Sequence, residues 1–310
     1  MQSDQNEIFL SVVIATYNYG KFLQSAINSV VKQCSGVQVV NGRNVLVLED
    51  DTSVELIVVD GGSTDDTLEI IKKNEDKIAW WVSEPDGGQS CAFNKGFEHS
   101  RGCYLTWLNA DDILFPGTIR AVQKAFRKNP RASWATGNFL RFHDDTGKIL
   151  QAAWGPHVWP FCLQRNGFPI PVFGPTSFWS REAYKDVGPI NEELHYTMDI
   201  EYWKRLVMAG HKFVRVNHCC WGFRMHEQSK TAEFGSHERP QKIKDRMRVE
   251  QGMIAKATGH VVTHLGCKIM SFVRVVDGSA FVDLWRRLAY CGRTIQSCYG
   301  LNPNGGLNED

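Results

Sequence analysis

None of the nine cysteines, Cys34, Cys91, Cys103, Cys162, Cys219, Cys220, Cys267, Cys291 and Cys298, belongs to a CxxC pair, and all lie scattered through apolar contexts. That usage excludes a zinc module and a disulfide scaffold and fits a reducing compartment. No window approaches ~20 uncharged apolar residues, so nothing reads as a membrane span. The opening MQSDQNEIF lacks the basic and apolar blocks of a signal peptide, and a soluble, cytoplasmic protein is expected. The net charge is only +1. No global field therefore selects nucleic acid or an acidic membrane as partner. Neither GxGxxG nor GxxxxGK[ST] follows the first apolar segment, which excludes the dinucleotide fingerprint and the Walker loop.

What remains is the material of a folded α/β protein. With 43% hydrophobic and 22% charged residues in 310, the chain can bury one large domain, or a domain plus an appendage. Ile8 to Ala15 is apolar at nearly every position, as expected of a parallel strand covered on both faces. Phe22, Leu23, Ala26, Ile27, Val30 and Val31 then recur at helical spacing. Between Cys34 and Ser53 an inserted excursion holds two β-branched runs around Asn41-Gly42, a hairpin signal. A second core strand, Glu55 to Val59, enters Asp60-Gly61-Gly62-Ser63. Ser63 or Asp65 can cap the helix Leu68 to Asn74. Asp60 is not needed as a cap and suits a base N–H or a ribose hydroxyl. A third strand, Ile78 to Val82, leads through Glu84-Pro85-Asp86-Gly87-Gly88-Gln89 to a helix with a small-residue face. On that helix Lys95 answers a phosphate or is a surface lysine.

The chain is organised around Arg101 to Asp112, RGCYLTWLNADD. It reads as a buried strand that ends in two adjacent carboxylates. In open α/β sheets ligands sit outside the carboxyl ends of the strands, where Asn109, Asp111 and Asp112 fall. Adjacent acids repel unless a cation balances them, so a divalent metal is their natural partner. The competing reading makes Asp112 the start of the helix Gly117 to Asn129.

SVVIATYNYGKFLQSAINSV, ELIVVDGGSTDDTLEII and EPDGGQSCAFNKGFEHSRGCYLTWLNADDILFPGTI together resemble the nucleotide-binding half of the family 2 glycosyltransferases. Three motifs in the right order at strand ends carry that resemblance. It implies an α/β GT-A fold and an inverting transfer of sugar from a nucleoside-diphosphate sugar to a glycan or lipid-linked acceptor, in glycan or polysaccharide biosynthesis, with Mn or Mg as cofactor. Thr16, Tyr17, Asn18 and Asp60 would stand near the nucleoside, joined on the donor side by Asn94, Lys95, Asn109, Ala110 and Asp111. Asp111, Asp112 and His226 would meet the metal. The family's DxD motif is here Asn109-Ala110-Asp111-Asp112, so Asn109 is expected to touch ribose or a metal-bound water, not the ion. The resemblance also aligns Asp199 with the family's base, with Met198 replacing the usual Glu, whereas read locally Asp199 is an N-cap.

A strand at Ser133 to Gly137 is expected before a hairpin of Asn138 to His143 and Lys148 to Ala152. The stretch Trp154 to Trp179, broken by prolines, forms an acceptor wall or ordinary core. Around His226, Lys230 is a second cation for a diphosphate. The resemblance ends near residue 238, giving a glycosyltransferase domain over 1–238, with halves of about 1–130 and 131–238. A mainly helical extension spans 239–310 with a disordered tail from Asn302. That extension docks on the domain, forms a homodimer contact, or lies on a membrane's inner face. Two other functions stay open: a nucleotidyltransferase, and a non-catalytic sugar-nucleotide or glycan binder for which Asn109 and Met198 are the support.

Overall fold

A computed structural model describes residues 7–153, 176–227, 229, 241–259, 268–269, 272, 279–299 and 301. Along the chain run β1 (Ile8–Thr16), α1 (Gly20–Val31), β2 (Gly36–Val40), β3 (Arg43–Val47), β4 (Ser53–Asp60), α2 (Thr67–Lys73), β5 (Trp80–Ser83), α3 (Gln89–His99) and β6 (Tyr104–Asn109). There follow β7 (Ile113–Leu114), α4 (Thr118–Lys128), β8 (Trp134–His143), β9 (Ile149–Ala153), β10 (Ser177–Ser180), α5 (Arg181–Val187), α6 (Met198–Met208) and β11 (Phe213–Met225). Then come α7 (Gln241–Thr258), α8 (Ser279–Tyr290) and α9 (Ile295–Tyr299).

The strands form one mixed sheet flanked by helices, an α/β fold, with order β2-β3-β4-β1-β6-β10-β8-β11-β7 and with β5 on β4 and β9 on β8. Its centre is the parallel set β5-β4-β1-β6. Leu10, Val12, Val13 and Ile14 on β1 are fully buried, because helices cover both faces of a parallel sheet. Register sets Thr16 beside Asp60 on β4 and Ala15 beside Asn109 on β6. Three candidate loops therefore leave one sheet edge together.

The excursion before β4 is the expected hairpin, β2 against β3. Asn41 and Gly42 turn it at φ 51 and 75, the left-handed pair that matches strand twist. The break expected at Gly137 does not occur, since β8 runs unbroken from Trp134 to His143. A Cβ at Gly137 would lie 2.3 Å from Cys220 Sγ, so the glycine answers the close approach of β11, not a turn. Phe178 and Trp179 are fully buried on β10 and belong to the core. The rest of the proline-rich stretch, residues 154–175, lies outside the described residues, as do Lys230 and the 302–310 tail.

Of the three expectations for the C-terminal extension, docking is what α7 does: Ile243 and Ile254 are buried and Met253 packs on the main core. Ile295 and Leu301 complete a second apolar cluster with Phe115 and Phe142. On α8, Phe281, Leu284, Trp285 and Leu288 are exposed. Among the described residues no helix is long and apolar enough to cross a membrane.

Candidate active site

The carboxyl ends of β1, β4 and β6 open onto a cleft of about 720 Å³. Thr16, Tyr17, Tyr19 and Gly61 line one side, and Gln89, Asn109, Ala110 and Asp111 the floor. His195, Tyr196, Met198 and Asp199 face them from the start of α6.

Thr16 is buried at the end of β1, and its hydroxyl has no hydrogen-bond partner in the protein. A buried polar atom of this kind in a cleft wall is suited to a ligand. Tyr17 beside it is exposed. Asn18 takes a left-handed conformation, φ 54. Its N–H donates to Ser63 Oγ (2.7 Å), and its side-chain oxygen accepts from the N–H of Thr64 (2.8 Å). Asn18 thus ties the loop after β1 to the loop after β4.

Asp60 has a similar internal role, which corrects its placement at a base or ribose. It is fully buried. Its carboxylate accepts from Ser63 N–H (3.1 Å), Ser63 Oγ and Ser83 Oγ (2.6 Å). These bonds fold the Asp60-Ser63 turn so that Gly61, not Asp60, meets the cleft. Asn94 and Lys95 are corrected as well. The Asn94 amide is buried and bonds the backbone of Ile190 in both directions, at 2.8 and 2.9 Å. Lys95 pairs with Glu84 at 2.5 Å. Neither lines the cleft.

At the floor, Asp111 faces the cleft and its Oδ2 lies 3.1 Å from His226 Nε2. The His226 ring is fixed against Phe22 (4.3 Å between centroids) and edge-on to Tyr19 (5.8 Å). Burial, then Asp111 and Asp112, push the Tyr19 hydroxyl up to about 12. Asp112 points inward, a correction to its assignment as a ligand. Its Oδ1 accepts from Arg224 N–H (3.0 Å) and its Oδ2 from Asn109 Nδ2 (2.8 Å). Burial and the neighbouring Asp111 hold the Asp112 carboxyl well above the usual carboxylate range. Asn109 in turn accepts from Gln89 Nε2 at 2.6 Å. Its amide is a link in a Gln89-Asn109-Asp112 chain.

Arg224 escaped the sequence reading. Fully buried on β11, it bonds the Asp111 carbonyl (2.8 Å), Asp144 (2.8 Å) and Ser25 Oγ (2.9 Å). An arginine is placed in a core only when its donors are matched in this way. The signal was its position two residues before His226 on an inward-facing strand.

The donor set suits a divalent cation. A hard carboxylate and an imidazole stand side by side, with a second acid whose charge burial disfavours. Among the described residues no three His, Cys, Asp or Glu side chains form a closed cage. Open sites completed by phosphate oxygens and water are how Mg-type ions are bound.

Opposite, Asp199 lies in the first turn of α6, but the N-cap is Thr197. The cap reading is therefore corrected. Asp199 is half-buried, lines the cleft, and accepts from Ile200 N–H (2.7 Å). Burial pushes its carboxyl up to about 6, against the opposing pull of the Ile200 N–H and of its own N–H. Glu201, by contrast, is buried and paired with Arg205 at 2.7 Å.

Residues 11–188 match the family model described as Glycosyl transferase family 2. An uncharacterised glycosyltransferase of Mycoplasma genitalium is 31% identical over 66% of this chain and 65% of its own length. One from Nostoc sp. is 31% identical over 38% of this chain and 33% of its own length. The match to chondroitin synthase of Pasteurella multocida, at 23% identity, spans 70% of this chain but only 20% of that protein. Among solved structures, S. aureus TarS 1-349 in complex with UDP-GlcNAc superposes with TM-score 0.55 at 16% identity, over 78% of this chain and 65% of that one. Mannosyltransferase PcManGT from Pyrobaculum calidifontis, in complex with GDP-Man and Mn2+, gives 0.51 at 16% identity, over 79% and 69%. The likeness in fold is to GT-A glycosyltransferases.

Proposed function

Because the chain belongs to the family 2 glycosyltransferases, we propose that it transfers a sugar from a nucleoside-diphosphate sugar to an acceptor hydroxyl, with inversion and with a divalent metal. The observation that carries this reading is one cleft with Asp111 and His226 at its floor and the raised carboxyl of Asp199 opposite. Structural neighbours in complex with UDP-GlcNAc, and with GDP-Man and Mn2+, support the donor class.

In the mechanism, Thr16, Tyr17 and Gly61 receive the nucleoside. Asp111 and His226 would hold a divalent cation, Mn or Mg, which when bound would supply Lewis-acid and electrostatic stabilisation of the departing diphosphate. Asp199 takes the proton of the acceptor hydroxyl as it attacks the anomeric carbon from the face opposite the leaving group. A carboxyl raised to about 6 is still ionised at neutral pH, and it is a stronger base than an ordinary aspartate. Trp107, Tyr196 and Met198 give the acceptor side apolar surface for the hydrophobic faces of sugar rings, as a glycan or lipid-linked acceptor requires.

The non-catalytic reading rested on Asn109 and Met198, and both have local explanations. Asn109 bridges Gln89 and Asp112, and Met198 accepts a bond from buried Ser90 Oγ at 2.9 Å. The test is a panel of nucleoside-diphosphate sugars with Mn2+, with Mg2+ and with EDTA, read as release of nucleoside diphosphate. Release from at least one donor, lost in EDTA and in Asp111→Asn, is expected. Release that survives both treatments would overturn the metal assignment.

A further inference from the structure

The one buried carboxylate of α7 reaches across to the acceptor side of the cleft. Glu250 is 1% exposed. Its Oε1 accepts from His195 N–H (2.9 Å) and from Arg246 Nε (3.1 Å). Its Oε2 accepts from Tyr196 N–H (3.0 Å), Thr197 N–H (3.1 Å) and Thr197 Oγ1 (2.8 Å). Burying a carboxylate is unfavourable unless donors surround it. Four of the five donors here come from three consecutive residues, and those residues lead directly into Asp199.

The same loop is held at its other end without help from the cleft. Asn94 fixes Ile190, and Arg205 bonds the carbonyl of Pro189 at 2.7 Å. Arg246 adds a bond to the Glu193 carbonyl at 3.3 Å. The backbone N–H groups of 195–197, next to a cleft open to solvent, depend on Glu250. Its helix is in turn anchored by buried Ile243 and Ile254. The anchor, the carboxylate and the loop form one continuous connection from the C-terminal extension to the cleft wall.

We propose that Glu250 is a positioning residue for transfer, fixing the 195–197 backbone and through it Asp199 and the acceptor wall of His195 and Tyr196. The inference rests on the reading of Asp199 as base. It assigns the C-terminal extension a part in catalysis, although residues 241–258 lie beyond the 11–188 span of the family match. Misplacing a reacting group by about 1 Å can cost on the order of a hundredfold in rate, whereas among the described residues the bonds of Glu250 go to 195–197 and Arg246, not to the nucleoside side of the cleft.

The test is Glu250→Gln, with wild type and Asp199→Asn alongside. Gln keeps the volume but turns an NH2 toward backbone donors. Amide hydrogen exchange over a peptide covering 194–203 is expected to be slow in wild type and faster in Glu250→Gln. In steady-state transfer kcat should fall about ten- to a hundredfold, with donor KM within about twofold. Faster exchange with unchanged kcat would make Glu250 merely structural and overturn the proposal, and so would fast exchange at 195–197 in wild type. If Glu250→Gln does not fold, Glu250→Asp, which withdraws the carboxylate by one methylene, is judged by the same split between kcat and KM. The base reading fails separately: Asp199→Asn would then keep transfer, whatever Glu250→Gln does.

Discussion

Asn109 shows how one side chain's partners decide what its residue type means. An aspartate there would set a carboxylate oxygen 2.8 Å from Asp112 Oδ2, where an amide N–H now donates, and would turn an acceptor pair toward Gln89 without gain. Asp112 is already held partly against ionisation by burial and by Asp111. Asn109→Asp is therefore predicted to lower stability by about 1–3 kcal/mol, the figure for a hydrogen bond to a charged group replaced by an unsatisfied one. The loss should shrink as pH falls, because a shared proton relieves the repulsion. Thermal melts across pH check this; a pH-independent loss would contradict it. Asp199 gives a second prediction. Its folded value, about 6, lies above the ordinary 3.8, so the folded state binds the extra proton. Stability then falls as pH rises from about 4 through 6. Asp199→Asn removes the titration. The variant should match wild type near pH 4 and exceed it at pH 8 by up to roughly 3 kcal/mol. Equal melts at both pH values would show that burial does not perturb this carboxyl.

At the scale of elements, the close packing of α3 on β1 aims the start of α3, with Gln89, at the cleft. Gly96 makes that approach possible, since a Cβ there would lie 2.2 Å from Val13 Cγ1. Gly96→Ala is predicted to destabilise by about 1–3 kcal/mol, the usual result of overpacking a core, despite alanine's better helix propensity. Chemical denaturation checks it, and a gain in stability would mean that α3 shifts freely. The parallel strands and the three loops at their carboxyl ends were legible in the sequence. Apolar runs followed by turn residues and acids have few other readings, and Asp111, Tyr17 and Asp199 all reach the cleft. Side-chain direction was not legible. Asp60, Asn94 and Asp112 turn away because Ser83, Ile190 and Arg224, distant in sequence, take up their polar atoms. Glu250 was invisible for the same reason, its loop partners lying 53 to 55 positions earlier. The unbroken β8 was missed because Gly137 reads equally as a turn or as a point of close backbone approach.

On the scale of the whole molecule, the cleft joins two kinds of structure. In the proposed function the parallel strands would supply the donor and metal side, and the start of α6, secured by α7, the base. In that proposal Asp199 works as a base from the second side on a donor held by the first. Asp199→Asn separates the two, because Asn can still accept the Ile200 N–H that Asp199 Oδ1 now accepts while being unable to take a proton. The decisive measurement is transfer by this variant beside its affinity for nucleoside diphosphate with Mn2+. Unchanged affinity is expected, with kcat reduced by at least about a hundredfold. Transfer within a few-fold of wild type at unchanged affinity would contradict it.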